Sequence, residues 1–276
     1  MTTFLDVEVR YYSMNRLAQA PPSDNERRPQ PNAMALIVVV ALFQPSCNLA
    51  DPKVWPSHVR EDVFGYSVEN RPLNGIILGS GPKSYFLSGV IHGNEPMGQL
   101  LLEEFIKYLS ANPDLLEGKQ VILLPVGNPD GLARNSRVNY RGVDLNRNFP
   151  SRNWQKNSSN GAYPGSEPET KIMIKVIRQF QPTRVLSVHS PLRMVNYDGP
   201  AEQLAQQMAA ACGYPAKASV GYPTPGSLGS YTGKDWNIPT ITLEVGQNMS
   251  ADEIWQRFRR ALEIFIEIPG AAPEEE

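Results

Sequence analysis

The stretch Ser84-Tyr-Phe-Leu-Ser-Gly-Val-Ile-His-Gly-Asn-Glu95 carries the strongest indication of the fold. Its first eight residues form a largely apolar run, which is typical of a strand buried on both faces. Helical spacing follows at once, because Leu101, Phe105 and Leu109 would share one helical face. A buried strand followed by an amphipathic helix is the repeating unit of α/β proteins, so this stretch predicts that fold class.

The alternation of strands and helices continues along the chain. Further strands are predicted at 120–126, 183–189 and 238–245, and further helices at 167–180, 200–212 and 251–266. We therefore predict a single compact α/β domain over residues 60–268, with a mixed, largely parallel twisted sheet flanked by helices on both faces. Residues 128–165 are rich in Asn, Gly, Pro and Arg and predict a long irregular segment, which is uncommon unless it is functional.

Residues 1–59 are interpreted as an N-terminal extension, partly disordered, and residues 269–276 as an acidic tail. The extension contains an apolar segment at 33–43, which is too short to span a bilayer, since a spanning helix needs about 20 residues. The segment suits a signal peptide with Cys47 as a lipid-attachment site, or a buried strand or short helix. A cytoplasmic location is slightly favoured over export or lipid anchoring through residues 33–47, and no stable membrane span is expected.

The composition narrows the classes of function. The chain has 276 residues with 26 basic and 28 acidic side chains, a balance that argues against a nucleic-acid-binding surface. The two cysteines, Cys47 and Cys212, are too few for a disulfide framework or a thiolate metal site. There are three histidines, so any histidine chemistry must draw on a short set. The oligomeric state is left open.

His92 and His189 each follow a predicted strand directly. In open α/β sheets, ligands bind beyond the carboxyl ends of the strands, so both imidazoles are candidates for a functional site. Glu95 can reach the same side across the turn from strand to helix, and two histidines with one carboxylate are a known catalytic zinc set. The spacing alone is weak, because a structural role is the alternative for each histidine. His58 is interpreted as structural.

Four motifs in collinear order resemble the zinc carboxypeptidase family over about residues 60–265. They are His92-Gly-Asn-Glu95, the segment from Asn128-Pro-Asp-Gly to Asp144-Leu-Asn-Arg147, the strand end Ser187-Val-His189 and Thr242-Leu-Glu244. The segments His189-Ser-Pro-Leu and Gly221-Tyr-Pro-Thr-Pro-Gly-Ser are similar to one branch, the bacterial murein peptide amidases (murein peptide amidase A type). That branch cuts between γ-D-glutamate and diaminopimelate in cell-wall peptides, so the resemblance implies a small, murein-derived peptide as substrate.

The resemblance also implies the chemistry of the site. His92, Glu95 and His189 would hold one zinc ion per chain, and Glu244 would act as the general base. A carboxylate suits that task if burial raises its pKa towards the working pH. A glutamate inside the apolar strand Ile-Thr-Leu-Glu-Val is an unusual place for a charge without a purpose.

Arginines in the irregular segment match the substrate-binding residues of the family. Arg137 matches the side chain that stabilises the tetrahedral oxyanion, with Arg134 and Arg141 as nearby alternatives. Asn146 and Arg147 match the clamp for a free carboxylate, because guanidinium offers a bidentate fork.

Further candidates follow from the resemblance with less direct matches. Tyr222 lies near the place of a tyrosine that closes over substrate in larger members, or is a packing aromatic. Asp144 is expected to orient the loop or a histidine ligand. A diaminopimelate side chain would need an acid and either a further cation or backbone donors. Asp198 is a candidate for the acid and Arg193 for the cation; Asp198 could instead cap the following helix.

Three enzyme functions stay open. The leading one is a zinc-dependent metallopeptidase or amidase that hydrolyses the C-terminal amide bond of small peptides, with γ-D-glutamyl-diaminopimelate as the favoured bond. The others are a general metallocarboxypeptidase and an N-acyl amino acid deacylase of the aspartoacylase or succinylglutamate desuccinylase type. A metal-free binding module is disfavoured, because the three ligand positions and the base are all filled.

Overall fold

An eight-stranded mixed sheet runs through residues 55–267, the part of the chain that the computed structural model describes. The strands are β1 (Val59–Tyr66), β2 (Pro72–Gly79), β3 (Lys83–Ser88), β4 (Lys119–Leu124), β5 (Arg184–His189), β6 (Met194–Asp198), β7 (Ala216–Lys217) and β8 (Thr240–Glu244). Their order is β1-β2-β4-β3-β5-β8-β6-β7. The central strands β4, β3, β5 and β8 are parallel to one another, which confirms the predicted sheet.

Helices cover both faces of this sheet. They are α1 (Met97–Ala111), α2 (Pro129–Ala133), α3 (Pro168–Phe180), α4 (Glu202–Cys212) and α5 (Ala251–Phe265). Successive side chains of a strand point to opposite faces, so β3 places Tyr85 and Leu87 in a core with α1, α4 and α5. Phe86 points the other way, into a second core with α3. The two cores confirm the single domain with helices on both sides.

Several strands differ from the sequence-based expectation. The sequence-based prediction contains none of β1, β2, β6 and β7; the side chains of β1 are mostly exposed, and β7 has two residues. The predicted strand at 84–91 ends earlier, at Ser88, because Val90 has a φ of 48°, which no strand residue adopts. Residues 89–91 therefore form the start of the turn that leads to His92.

The segment 128–165 contains little regular structure, as predicted, yet a buried polar network holds it. Its regular parts are α2 and a 3-10 turn at Leu145–Arg147. The Asn139 side-chain amide donates to Glu167 at 2.9 Å and to Glu169 at 3.1 Å, and all three residues are buried. Such satisfied buried networks rigidify the backbone around them, so this loop can hold functional side chains in fixed positions.

Some sequence-based predictions concern residues that the structure does not describe. The apolar segment 33–43, Cys47, the acidic tail at 269–276 and most of the extension predicted for 1–59 lie outside residues 55–267. The domain boundaries therefore stay predictions. Between residues 55 and 267, no helix combines the length and the apolar character needed to cross a bilayer.

Candidate active site

Three neighbouring parallel strands end at the candidate site. His92 follows β3 after a short turn, His189 is the last residue of β5, and Glu244 is the last residue of β8. His189 and Glu244 are direct register partners across the β5–β8 ladder. The turn after β3 also carries Glu95, just before α1 begins. The topology therefore gathers all four side chains at the carboxyl edge of the sheet, where α/β proteins bind their ligands.

The two imidazoles and the Glu95 carboxylate converge on one point. The Glu95 oxygens lie 2.9 Å from His92 Nδ1 and 2.9 Å from His189 Nδ1, and the two Nδ1 atoms are 3.1 Å apart. Tetrahedral ligands at about 2.0–2.2 Å from zinc would lie about 3.3–3.5 Å apart, close to this spacing. All three residues are buried, and together they form a group that could hold a metal ion. Two nitrogens facing each other at this distance need a proton or cation between them, so the donor set fits zinc.

Asp144 orients the first of these ligands. Its Oδ1 lies 3.1 Å from His92 Nε2, so the ring can donate there and leave the Nδ1 lone pair for the metal. Burial raises the pKa of Asp144, but the hydrogen bond with His92 and the charges of Arg137 and Arg147 outweigh it and hold that pKa well below its usual range. Asp144 also accepts from Asn146 N at 2.9 Å, which fixes the start of the 3-10 turn.

The Asp144→Asn variant is expected to bind zinc about 10- to 100-fold more weakly, because the amide loses the charge that supports His92. Asparagine keeps the shape and can still accept from Asn146 N, so the fold should persist. Competition with a chelating dye measures the affinity, and Asp62→Asn, at an exposed position of β1, is the control. Equal zinc affinity in the two variants would contradict the orienting role.

Glu244 is a largely buried carboxylate that lines the cleft, a position suited to proton transfer. The residue is buried, and its Oε2 accepts a hydrogen bond from Leu192 N at 3.3 Å. Burial raises the pKa of Glu244, and the nearby charge of His189 only partly offsets this effect. A carboxylate with a raised pKa is a better proton acceptor near neutral pH. Glu244 therefore has the chemistry that the resemblance implies for the general base.

The structure separates the three arginines of the irregular segment. Arg137 lines the cleft, with Nε 3.0 Å from Asp144 Oδ2 and Nη1 3.4 Å from Glu95 Oε1. Arg134 instead lies over the Tyr140 ring, 3.9 Å from its centroid. Arg141 is also turned elsewhere, towards Glu167 at 3.6 Å. Of the three, Arg137 alone points a guanidinium at the metal group.

Asn146 and Arg147 lie in the 3-10 turn and line the same cleft. The side-chain oxygen of Asn146 accepts from Leu228 N at 2.9 Å, and its Nδ2 lies 3.5 Å from His189 Nε2. Arg147 donates from Nη1 to the Asn146 carbonyl at 2.7 Å, which leaves other guanidinium donors for a ligand. The pair thus offers several N–H donors beside the metal group.

The remaining predicted substrate residues divide between two places. Tyr222 is 50% exposed and lies on the cleft wall, as does Asp198 at the end of β6. The expectation that Arg193 joins Asp198 is wrong. Arg193 has a φ of 53° in the turn before β6, and its side chain lies against Gly246 and lines a different cavity.

Lys234 is a cation beside Asp198 that the sequence patterns do not indicate. Its Nζ lies 3.0 Å from Asp198 Oδ1. It lies in a π-helical segment at Ser230–Asp235, far from Asp198 in the sequence, so no local pattern indicates the pair. The cleft itself has a volume of about 210 Å³, which is below the roughly 300 Å³ of the smallest drug-sized pockets.

Comparisons with known proteins identify the family of the chain. The sequence profile of the zinc carboxypeptidase family matches residues 53–207. Murein peptide amidase A of Escherichia coli K12 is 34% identical over 219 residues, which cover 72% of this chain and 86% of that protein. Carboxypeptidase D of Anas platyrhynchos is 25% identical over 77% of this chain and 19% of that protein.

Solved structures show the same similarity. The murein-tripeptide amidase of Escherichia coli O157 superposes with a TM-score of 0.64 and 29% identity, over 80% of this chain and 96% of that one. Carboxypeptidase A of Helicoverpa armigera, at 22% identity and a TM-score of 0.67 over 77% of this chain and 68% of that one, shares the fold. The chain therefore belongs to the zinc carboxypeptidase family and is a zinc-dependent hydrolase.

Proposed function

We propose that the chain hydrolyses the amide bond between γ-D-glutamate and diaminopimelate in small, murein-derived peptides. One arrangement carries the proposal: the metal group and Glu244 share a cleft with the carboxylate-binding Arg147 and with the acid Asp198. Diaminopimelate, as the leaving residue, has a carboxylate beside the scissile bond and a second ammonium at the end of its side chain. Each of these charges meets a group of opposite charge in the cleft.

The substrate carboxylate accounts for Arg147 and Asn146. A guanidinium and a carboxylate form two parallel charge-assisted hydrogen bonds, which set both position and orientation. The Asn146 side chain is fixed by Leu228 N, so its amide donor needs little reordering when the carboxylate arrives. Binding there would place the scissile carbonyl towards His92 and His189, because these residues line the same cleft.

The chemical step then depends on two side chains near the ligands. Zinc, when bound by His92, Glu95 and His189, supplies polarisation of the carbonyl and acidification of water. Glu244 accepts a proton from the attacking water and delivers it to the leaving amine, because its carboxylate lines the same cleft as the metal group. Arg137 donates hydrogen bonds to the oxygen that becomes negative in the transition state.

Asp198 accounts for the choice of leaving residue. It stands on the cleft wall with its side chain only 10% exposed, so an ammonium that reaches it exchanges water for a charge-assisted hydrogen bond. Similarity to murein peptide amidase A along 72% of the chain supports the same substrate class. The small cleft volume supports a short peptide over a folded protein.

A general metallocarboxypeptidase is the second candidate. The position of Asp198 on the cleft wall also favours this function. The carboxylate of Asp198 could bind the single ammonium of a C-terminal lysine as well as that of diaminopimelate. The 25% identity to carboxypeptidase D is compatible with this candidate. The two candidates differ in the scissile bond and in the leaving residue, so substrates can separate them.

Hydrolysis of L-Ala-γ-D-Glu-meso-diaminopimelate by the zinc-loaded protein is the direct test. We expect release of diaminopimelate, followed by mass spectrometry, with slower cleavage of ordinary peptides that end in an α-linked residue. Cleavage of ordinary peptides alone would make the chain a general metallocarboxypeptidase. Cleavage of N-acetylaspartate or N-succinylglutamate alone would make it an N-acyl amino acid deacylase.

A further inference from the structure

Asp198, in the cleft wall, forms an ion pair with Lys234 where two cavities meet. Lys234 Nζ lies 3.0 Å from Asp198 Oδ1, and the Asp198 and Lys234 side chains are 10% and 54% exposed. Asp198 lines both the catalytic cleft and a second cavity of about 430 Å³, whereas Lys234 lines the second cavity. A side chain that extends from the cleft past Asp198 therefore meets Lys234 next.

Two glycines, Gly229 and Gly233, allow the backbone to approach the Asp198 side chain closely. A Cβ at Gly229 would collide with Asp198 Oδ2, and a Cβ at Gly233 would collide with Asp198 Cβ. The backbone of the π-helical segment thus packs directly against Asp198, next to Lys234. Within residues 55–267, Asp198 Oδ1 pairs with Lys234, whereas Asp198 Oδ2 packs against Gly229 and accepts no hydrogen bond.

We propose that Lys234 makes this end of the cleft selective for a leaving residue whose side chain ends in both an ammonium and a carboxylate. Asp198 alone would attract any ammonium, including that of lysine. Lys234 cancels this charge and repels a lone ammonium that approaches Asp198. An end group with both charges can bind Asp198 Oδ2 through its ammonium and Lys234 Nζ through its carboxylate.

This inference rests on the proposed function, since diaminopimelate is such a residue, and deepens it by naming the side chain that distinguishes diaminopimelate from lysine. The two amino acids differ at the end of the side chain by one carboxylate. A cation can recognise that carboxylate, and Arg193, the sequence-based candidate for this task, lines a different cavity. Lys234 is the cation that the structure places within hydrogen-bond distance of Asp198.

Calorimetric titration of the zinc-loaded full-length protein with free meso-diaminopimelate and with L-lysine tests the inference without depending on any scissile bond. We expect the wild type to bind meso-diaminopimelate about tenfold more tightly than lysine, the size of one charged hydrogen bond. Lys234→Met should abolish this ratio by weakening diaminopimelate binding and strengthening lysine binding. Lys234→Arg should retain most of the ratio. Lys175→Met, on the exposed face of α3, is the matched control and should behave as the wild type.

Three results would overturn the inference: equal affinities in the wild type, an unchanged ratio in folded Lys234→Met, or an equal loss of affinity for both ligands in that variant. The last result would mean that Lys234 only holds Asp198 in position. Circular dichroism of each variant verifies its fold. Hydrolysis of the tripeptide is a separate measurement, so failure of the proposed function and failure of this inference are distinguishable.

Discussion

Replacing Glu244 with glutamine is expected to lower kcat by about 10²–10⁴-fold while the zinc content stays unchanged. Glutamine has the same shape and can still accept the hydrogen bond from Leu192 N, so the strand end should keep its structure. The amide cannot take up a proton, however, and the attacking water loses its base. Steady-state hydrolysis of the tripeptide and atomic absorption for zinc, on the same preparation, measure the two quantities.

Glu117→Gln is the matched control for this experiment. Glu117 is exposed and lies just before β4, at the amino edge of the parallel strands and therefore opposite the site. We expect wild-type activity from this variant. Full activity in Glu244→Gln would refute the assigned base, and zinc loss in that variant would show instead that Glu244 supports the metal ligands.

The second large effect is expected at Arg137. Arg137→Ala should lower kcat by about 10²–10³-fold with a smaller change in KM, because the guanidinium stabilises charge that develops mainly in the transition state. The same substitution at Arg134 and at Arg141 gives two controls from the same loop. Their side chains face Tyr140 and Glu167 outside the cleft, so both variants should retain activity within a few-fold.

Zinc content must be followed in Arg137→Ala as well, since Arg137 hydrogen-bonds Asp144 and Glu95. An inactive variant with full zinc content supports a role in the transition state. An inactive variant without zinc would reduce Arg137 to an organiser of the ligands. If Arg134→Ala or Arg141→Ala were the more damaged variant, the assignment among the three arginines would be wrong.

The sequence predicts the catalytic edge of the sheet well because strand direction determines it. His92, His189 and Glu244 each follow an apolar run that is long enough to be a buried strand. The carboxyl ends of parallel strands lie at one edge of the sheet, so three such residues must lie at that same edge. The order β3-β5-β8 then makes them neighbours, and this order alone could not be read from local patterns.

Other features depend on contacts between distant segments, so the sequence patterns do not predict them. The pairing of Asp198 with Lys234 needs the backbone near Gly233 to pack against β6, which no spacing of residues encodes. Arg193 looks equivalent to Lys234 as a charge, yet its positive φ turns it towards Gly246. Strand β1 is also invisible to an apolar pattern, because it is an edge strand with mostly exposed side chains.

The register pairing of His189 with Glu244 has a consequence for protein engineering. These two groups are paired on adjacent strands of the central sheet. In contrast, Asp198 is the last residue of β6, and Tyr222 and Lys234 lie in the connection between β6 and β8. Libraries that randomise residues 218–223 and Lys234 can therefore explore new leaving groups while Leu228, which fixes Asn146, and the glycines that pack on Asp198 stay unchanged. Directed evolution towards other zwitterionic or basic amino acids should begin in that connection and leave β5 and β8 untouched.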